Sequence, residues 1–197
     1  MLLRILTVFL SGLLCLTVAQ AQDAGARSVL IRSVQADFVQ EKHLAILAHP
    51  IVSTGRFTFK APVSLRWEYF TPVHTVLLMD DGRTRKYVSQ NGEFVEEHGM
   101  GVDSMQIVLQ EITGWLDGEI NDTPTFIAEP EKDGYIILRP RDQALARIVS
   151  RIELKLMGTS GLMESVTLYE GPESFTRMVF AEAVLNEAIL PSVFRQP

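Results

Sequence analysis

The sequence predicts a mainly β protein: an antiparallel sheet of about ten strands that curls into an incomplete barrel, with helical segments over its mouth. Short segments alternate large apolar and polar side chains, as in GRFTFK (55–60) and LRWEY (65–69), which is the period of a strand with one apolar face. The dipeptides Asp81-Gly82 and Asn91-Gly92 separate such segments, as in tight hairpins. Antiparallel sheets of this size seldom stay flat, because twist makes them curl or split into two layers.

The first residues are typical of a secretory signal peptide. Arg4 precedes an apolar run from Ile5 to Val18, and Ala19-Gln20-Ala21 has the small-x-small form of a signal peptidase site. The run is short for a membrane anchor. We therefore expect residues 1–21 to be cleaved and residues 22–197 to form one exported domain.

Composition excludes several function classes for that mature chain. Cys15 is the only cysteine and lies in the predicted signal peptide, so neither disulfides nor thiolate chemistry are expected. Without Arg4, 17 Lys and Arg face 24 Asp and Glu, a net charge of 17 − 24 = −7. This balance disfavours nucleic acid and steady residence on an anionic membrane surface.

The mature chain is predicted to begin with a helix from Ala26 to about Leu47, which Pro50 prevents from continuing. Its apolar residues recur at three- and four-residue steps: Val29, Leu30, Val34 and Phe38. Strands with a two-residue period follow at 55–60, 65–69, 74–79, 85–89 and 93–97.

A second helical segment is predicted over residues 102–116, in one piece or two. Its apolar stripe consists of Val102, Met105, Leu109, Ile112 and Leu116. The remaining segments again alternate and predict strands at 125–128, 135–139, 149–157, 163–170 and 176–183.

This pattern leaves open whether the apolar face encloses a cavity. A barrel of about eight strands can be filled by its own side chains or can hold one small ligand. A two-layer sandwich or a sheet plugged by a helix would show the same alternation and contain no cavity. Periodicity alone does not separate these possibilities.

No catalytic, cofactor or metal motif is found in the sequence. The four histidines His43, His49, His74 and His98 stand in separate contexts, and no nucleophile elbow, phosphate-binding glycine loop or Cys/His metal spacing occurs. We therefore expect no enzyme activity, no cofactor and no metal.

Several motifs together resemble the LolA-type periplasmic carriers of outer-membrane lipoproteins. The order is Phe38-x-Gln40, Gly55-x-Phe57-x-Phe59-Lys60-x-Pro62, Leu65-Arg66-Trp67-Glu68-Tyr69-x-x-Pro72, Asp80-Asp81-Gly82, Leu138-x-Pro140, Ile152-Glu153-Leu154 and a closing strand from Phe180 to Asn186.

The resemblance implies an incomplete antiparallel barrel with a helical lid and a hydrophobic cavity for acyl chains. It implies a periplasmic monomer that takes acylated lipoprotein from an inner-membrane transporter and delivers it to an outer-membrane receptor, without cofactor or reaction.

The residues expected in this carrier fall into two groups. The cavity wall is predicted to comprise Phe57, Phe59, Leu65, Trp67, Tyr69, Leu77, Ile152, Leu154 and Leu156. The lid is predicted to comprise Phe38, Met105, Leu109 and Ile112. A register error of one residue would move a strand's whole set to the other face.

One departure keeps other functions open. Ala61 stands where the family usually has an arginine implicated in lid contact and ligand handover, and Arg66 is expected to face away from the cavity. A divergent carrier of another amphiphile, such as a glycolipid or a lipid-linked pigment, is one alternative. A filled barrel acting as a scaffold or interaction module is another, and a hydrolase using serines or histidines brought together by folding is a third.

Overall fold

The computed structural model describes residues 31–98, 111, 115, 120–158 and 162–197. Eleven strands lie within these ranges. They are β1 Ser33–His43, β2 Ile51–Lys60, β3 Ser64–Thr71, β4 Thr75–Asp80, β5 Arg83–Gln90, β6 Glu93–Glu97, β7 Phe126–Pro130, β8 Tyr135–Pro140, β9 Arg151–Met157, β10 Leu162–Tyr169 and β11 Phe175–Leu185.

All eleven strands form one antiparallel sheet, in the order β6-β5-β4-β3-β2-β1-β11-β10-β9-β8-β7. Strands β1 to β6 form one meander and β7 to β11 form another, each strand pairing with its neighbours in sequence. The pairing of β1 with β11 joins the two meanders. Because β6 and β7 remain as edges, the sheet curls without closing. The mainly β, incomplete antiparallel barrel predicted from the sequence is confirmed.

The helix predicted over Ala26–Leu47 is wrong where the structure describes it. Ser33–His43 is β1, the central strand, which pairs with β2 on one side and β11 on the other. Val34, Ala36 and Phe38 are buried at two-residue steps. The four-residue step from Val34 to Phe38 fits a helix and a strand equally well, and only long-range pairing on both edges decides between them.

Little helix occurs in the described residues. Glu111 and Trp115 are helical, in agreement with a second helical segment, whereas Met105, Leu109 and Ile112 lie outside the described residues. A short helix, α1, spans Gln143–Ala146 between β8 and β9 and is capped by Asp142, whose carboxylate accepts hydrogen bonds from the next turn. None of these described helices is long and apolar enough to cross a membrane.

The concave face of the sheet carries the predicted apolar alternation in register. Phe57 pairs with Trp67 and Trp67 with Leu77, while Phe59 pairs with Leu65 and Leu65 with Met79. All of these side chains are buried. They belong to a first apolar cluster on β1 to β4 and β11, and a second cluster occupies β7 to β10 together with Trp115.

Gly55 allows the Phe38 ring to lie across β2. The two residues are directly paired, and a Cβ atom at position 55 would stand 2.5 Å from Phe38 Cζ and 2.0 Å from the Glu68 carbonyl oxygen. Both distances are far below van der Waals contact, so a side chain at this position must displace the aromatic ring or the β3 backbone.

The C-terminal segment covers the convex face opposite the first cluster. Phe194, in the 3-10 turn Pro191–Phe194, is 1% exposed, and Val76 and Leu78 of β4 point to this face and are fully buried. Arg66 donates hydrogen bonds to the carbonyl oxygens of Val193 (3.3 Å) and Gln196 (2.7 Å). Arg66 therefore faces away from the concave side, as predicted, and its hydrogen bonds hold the C-terminal segment against the sheet.

Gly55→Ala should destabilise the protein by about 1–3 kcal/mol, the usual cost of overpacking, because the new methyl group collides with the Phe38 ring and the Glu68 carbonyl. Chemical denaturation measures this free energy of unfolding. Gly171→Ala is the matched control: a Cβ there would meet only Ser174 at 3.9 Å, so its stability should change little. Equal effects of the two substitutions would contradict the close contact.

Phe194→Ala should lower the free energy of unfolding by about 3–5 kcal/mol, because it removes a fully buried ring and leaves a cavity on the convex face. Leu190→Ala, only four residues away and 71% exposed, should have almost no effect. A thermal unfolding comparison tests this, and a Phe194→Ala protein as stable as the parent would show that the C-terminal segment is not part of the core.

Glu68 should make stability depend on pH. Burial raises the pKa of Glu68, but hydrogen bonds from Arg66 and His74 outweigh burial, so the net pKa is lowered from 4.5. A lowered folded-state pKa gives stability that is present above the unfolded value and lost as pH falls through the folded value. The stability advantage of the parent over Glu68→Gln, measured by denaturation at a series of pH values, should therefore be largest near neutrality and shrink below about pH 4.5.

Candidate ligand-binding cavity

A partly open cavity of about 320 Å³ lies on the concave face between the two apolar clusters. The first cluster contributes Phe57, Trp67, Leu77 and Met178, and the second contributes Trp115, Ile152 and Val166. Phe180 packs against both clusters. The described side chains therefore leave space between the two clusters on the concave face. The volume of this space lies at the low end of the range of about 300–1,000 Å³ found for small-molecule sites.

Five aromatic rings pack together beside the cavity: Phe57, Trp67, Tyr69 and Phe180 line it, and Phe38 lies behind them. The ring centroid of Phe38 lies 5.2 Å from that of Tyr69 and 5.6 Å from that of Trp67, and Phe57 lies 5.4 Å from Trp67. Phe180 makes edge contacts with Phe38 at 6.5 Å and with Phe57 at 6.2 Å. These tilted and edge-to-face arrangements are favourable for aromatic pairs and fix the ring orientations.

Polar side chains lie at one end of the cavity, where β1 ends and β11 begins. The Tyr69 hydroxyl donates to Gln40 Oε1 at 2.9 Å, and Lys42 Nζ lies 3.5 Å from Glu170 Oε1. Thr176 Oγ1 donates to Glu170 Oε2 at 3.4 Å. Burial raises the pKa of Tyr69 to about 12, so its hydroxyl stays a neutral donor at physiological pH.

The arrangement is suited to binding apolar groups. Most polar side chains that line the cavity are already paired: Tyr69 with Gln40, Lys42 with Glu170, and Lys86 with Glu97 outside the cavity. The exception is Trp67, whose Nε1 is buried and has no hydrogen-bond partner among the described residues. Among the described residues, no group of three or more His, Cys, Asp or Glu side chains could hold a metal ion. The aromatic and aliphatic walls can accept flexible chains of varied shape without specific chemistry.

The model of one protein family, the outer membrane lipoprotein carrier protein LolA, matches residues 30–197. The chain belongs to the LolA family. No curated protein matches it significantly.

The solved structures to which this chain is similar are distant in sequence. A LolA superfamily protein from Nitrosomonas europaea is 13% identical, with a TM-score of 0.40 over 85% of this chain and 91% of that one. A DUF1329 family protein from Desulfovibrio piger is 8% identical, with a TM-score of 0.45 over 83% and 90%. MucB, in its complex with MucA from Pseudomonas aeruginosa, is 15% identical, with a TM-score of 0.39, and 81% of this chain spans only 54% of that chain.

The structure places the predicted wall residues of this LolA family member on one face of the sheet. Five of them line the cavity: Phe57, Trp67, Tyr69, Leu77 and Ile152. Phe59, Leu65 and Leu154 are fully buried in the clusters behind it, and Leu156 is half-buried on β9. The ligand contact of each residue remains a prediction.

Phe38 occupies a different place from the one expected. It was predicted on the helical lid, but it lies on β1, is 2% exposed and packs in the first cluster. The correction follows from the strand assignment of residues 33–43. Phe38 lies in the core behind the cavity, in contact with the lining residues Trp67 and Tyr69, and does not itself line it. The other predicted lid residues lie outside the described part of the chain.

Sequence reasoning missed the cavity residues of β1, β10 and β11. They include Val34, Ala36, Met163, Val166, Met178, Phe180 and Ala183. Alternation in 163–170 and 176–183 predicted the two strands. The same alternation could have shown which of their residues face the cavity. Two irregularities hide it: β10 shifts register between Met163 and Ser165, and Glu182 of β11 has a positive φ of 52°.

Proposed function

We propose that this LolA family member is a periplasmic carrier that shields the acyl chains of lipoproteins and moves them from the inner to the outer membrane. The observation that supports this is the partly open apolar cavity between the two clusters. A scaffold with a filled interior would merge those clusters into one core.

Acyl chains must be shielded from water because their exposure is energetically unfavourable. Each CH₂ group that leaves water is worth about 0.8 kcal/mol, so a chain of about 16 carbons presents about 12 kcal/mol of unfavourable surface. A lipidated protein therefore does not cross an aqueous compartment unaided. A wall with few polar contacts covers the chains and still permits release.

The partners and location belong to the same proposal. An inner-membrane transporter would supply the acylated lipoprotein and an outer-membrane receptor would accept it. Residues 1–21 would direct export and be removed, and residues 22–197 would act as a monomeric domain in the periplasm. No cofactor and no catalytic residue enter this function.

A second candidate is a carrier of another amphiphile, such as a glycolipid or a lipid-linked pigment. Position 61, where the family usually has an arginine, holds Ala61, whose small side chain packs against the first cluster. Its amide donates to the Arg32 carbonyl oxygen at 2.9 Å. A handover step that relies on an arginine at this position is not available here.

Ala183→Phe should block acyl binding. Ala183 lines the cavity, so a phenyl ring there would occupy the space that a chain needs, and we expect at least about tenfold weaker binding, which corresponds to about 1.4 kcal/mol. Fluorescence titration with a fatty acid probe measures the affinity. Ala181→Phe makes the same change on the same strand at an exposed position and should bind the probe like the parent.

Lipid extraction and native mass spectrometry of protein purified from the periplasm identify the cargo. Co-purified acylated peptide supports lipoprotein transport, and free glycolipid or pigment supports the second candidate. A protein that carries no lipid and binds no probe would contradict both candidates and favour a scaffold.

A further inference from the structure

The polar end of the cavity holds hydrogen-bond donors without an acceptor in the part of the chain that the structure describes. Gln40 lines the cavity, and its Oε1 accepts a hydrogen bond from the Tyr69 hydroxyl at 2.9 Å. The nitrogen Nε2 of the same side chain carries two N–H groups, and no described residue pairs with it. Trp67 Nε1, two residues before Tyr69 on the same face of β3, is the second unpaired donor.

The side-chain carbonyl and carboxylate oxygens at this end already accept hydrogen bonds. Oε1 of Gln40 is used by Tyr69. Oε1 of Glu170 lies 3.5 Å from Lys42 Nζ, and Oε2 accepts from the Thr176 hydroxyl at 3.4 Å. Lys42 and Glu170 also balance each other's charge. The polar end therefore offers unused donors beside a balanced pair of charges, and the complement of such a surface is a neutral acceptor.

The Tyr69 hydroxyl determines which atom of the Gln40 amide is left for a guest. Because the pKa of Tyr69 is raised to about 12, the hydroxyl keeps its proton at physiological pH and donates it to Oε1. The Tyr69 ring is held in turn by an edge contact with Phe38, at a centroid distance of 5.2 Å. Nε2 is thus presented as a donor from a positioned side chain.

The cavity extends along β1 away from Gln40. Val34 and Ala36, near the start of the strand, line the cavity, as do Gln40 and Lys42 near its end. The lining along this strand therefore changes from aliphatic to polar. A guest with an apolar tail and one polar group matches this change when the polar group lies at Gln40 and the tail runs toward Val34.

We propose that Gln40 binds the carbonyl oxygen of the guest's acyl group through Nε2, and that Tyr69 is the residue that positions its amide. This inference rests on the proposed function and adds the chemical group that is recognised. An acyl chain carries an ester or amide carbonyl at its head, whereas an alkyl chain has no acceptor there. A tail that fills the cavity excludes water, so a guest without a carbonyl would leave Nε2 unpaired at a cost in affinity.

Competition between two guests on the mature protein tests the proposal. Diphenylhexatriene is an apolar fluorescent dye without a carbonyl, and methyl dodecanoate is an acyl ester that should displace it from the cavity. In Gln40→Leu the ratio of the ester's dissociation constant to that of the dye should rise about two- to tenfold, as expected for the loss of one hydrogen bond. A general change in the cavity would alter both constants together and leave the ratio as it was.

Gln35→Leu is the matched control. It makes the same change on the same strand at a position that does not line the cavity, and it should keep the parent's ratio. A ratio that rises as much in Gln35→Leu as in Gln40→Leu would overturn the proposal, because the effect would not come from the cavity side of β1.

Infrared spectroscopy of bound methyl dodecanoate with an isotopically labelled carbonyl detects the hydrogen bond directly. The carbonyl stretching frequency should be lower in the parent than in Gln40→Leu. In Tyr69→Phe it should move toward the value in Gln40→Leu, because the amide loses the hydroxyl that positions it. If Tyr69 only supported the wall, Tyr69→Phe would weaken both guests and leave the frequency at the parent's value.

The outcomes separate this inference from the carrier function. A parent and a Gln40→Leu protein with the same ratio, or with the same carbonyl frequency, would overturn the role of Gln40, while a dye-binding cavity would leave the carrier function standing. A parent that binds neither the dye nor the ester would overturn the proposed function and this inference with it.

Discussion

The concave face depends on the contact between the Phe38 ring and the bare backbone of Gly55. Directly opposite residues on one face of an antiparallel pair have Cβ atoms only about 4.5–5.5 Å apart, so each side chain normally packs beside its partner. Here the absence of a Cβ on β2 lets the ring extend over that strand and contact Trp67 and Tyr69 of β3. One residue of the central strand thus links three strands and, through Phe180, the other half of the sheet.

The cavity lies between this aromatic cluster and the apolar cluster of the other half of the sheet. The rings pack β1 to β3 firmly, while β7 to β10 build a second cluster around Leu138, Ile152 and Leu154. Phe180 of β11 contacts both clusters, and the cavity occupies the space that the described side chains leave between them. The convex face has no such gap there, because Phe194 of the C-terminal segment covers Val76 and Leu78. The cavity therefore lies on the concave face, where no described segment fills the space between the two clusters.

Sequence patterns predicted the strands from β2 onward because their alternation is local and their turns carry Gly, Asn, Asp or Pro. The same local information failed at Ser33–His43, where Val34 and Phe38 fit either period and the strand is defined by partners near residues 55 and 180. The burial of Val76 and Leu78 on the convex face was also not predictable, since the covering Phe194 is more than one hundred residues away. The β11 side of the cavity needed knowledge of the irregularity at Glu182, which no short-range pattern signals.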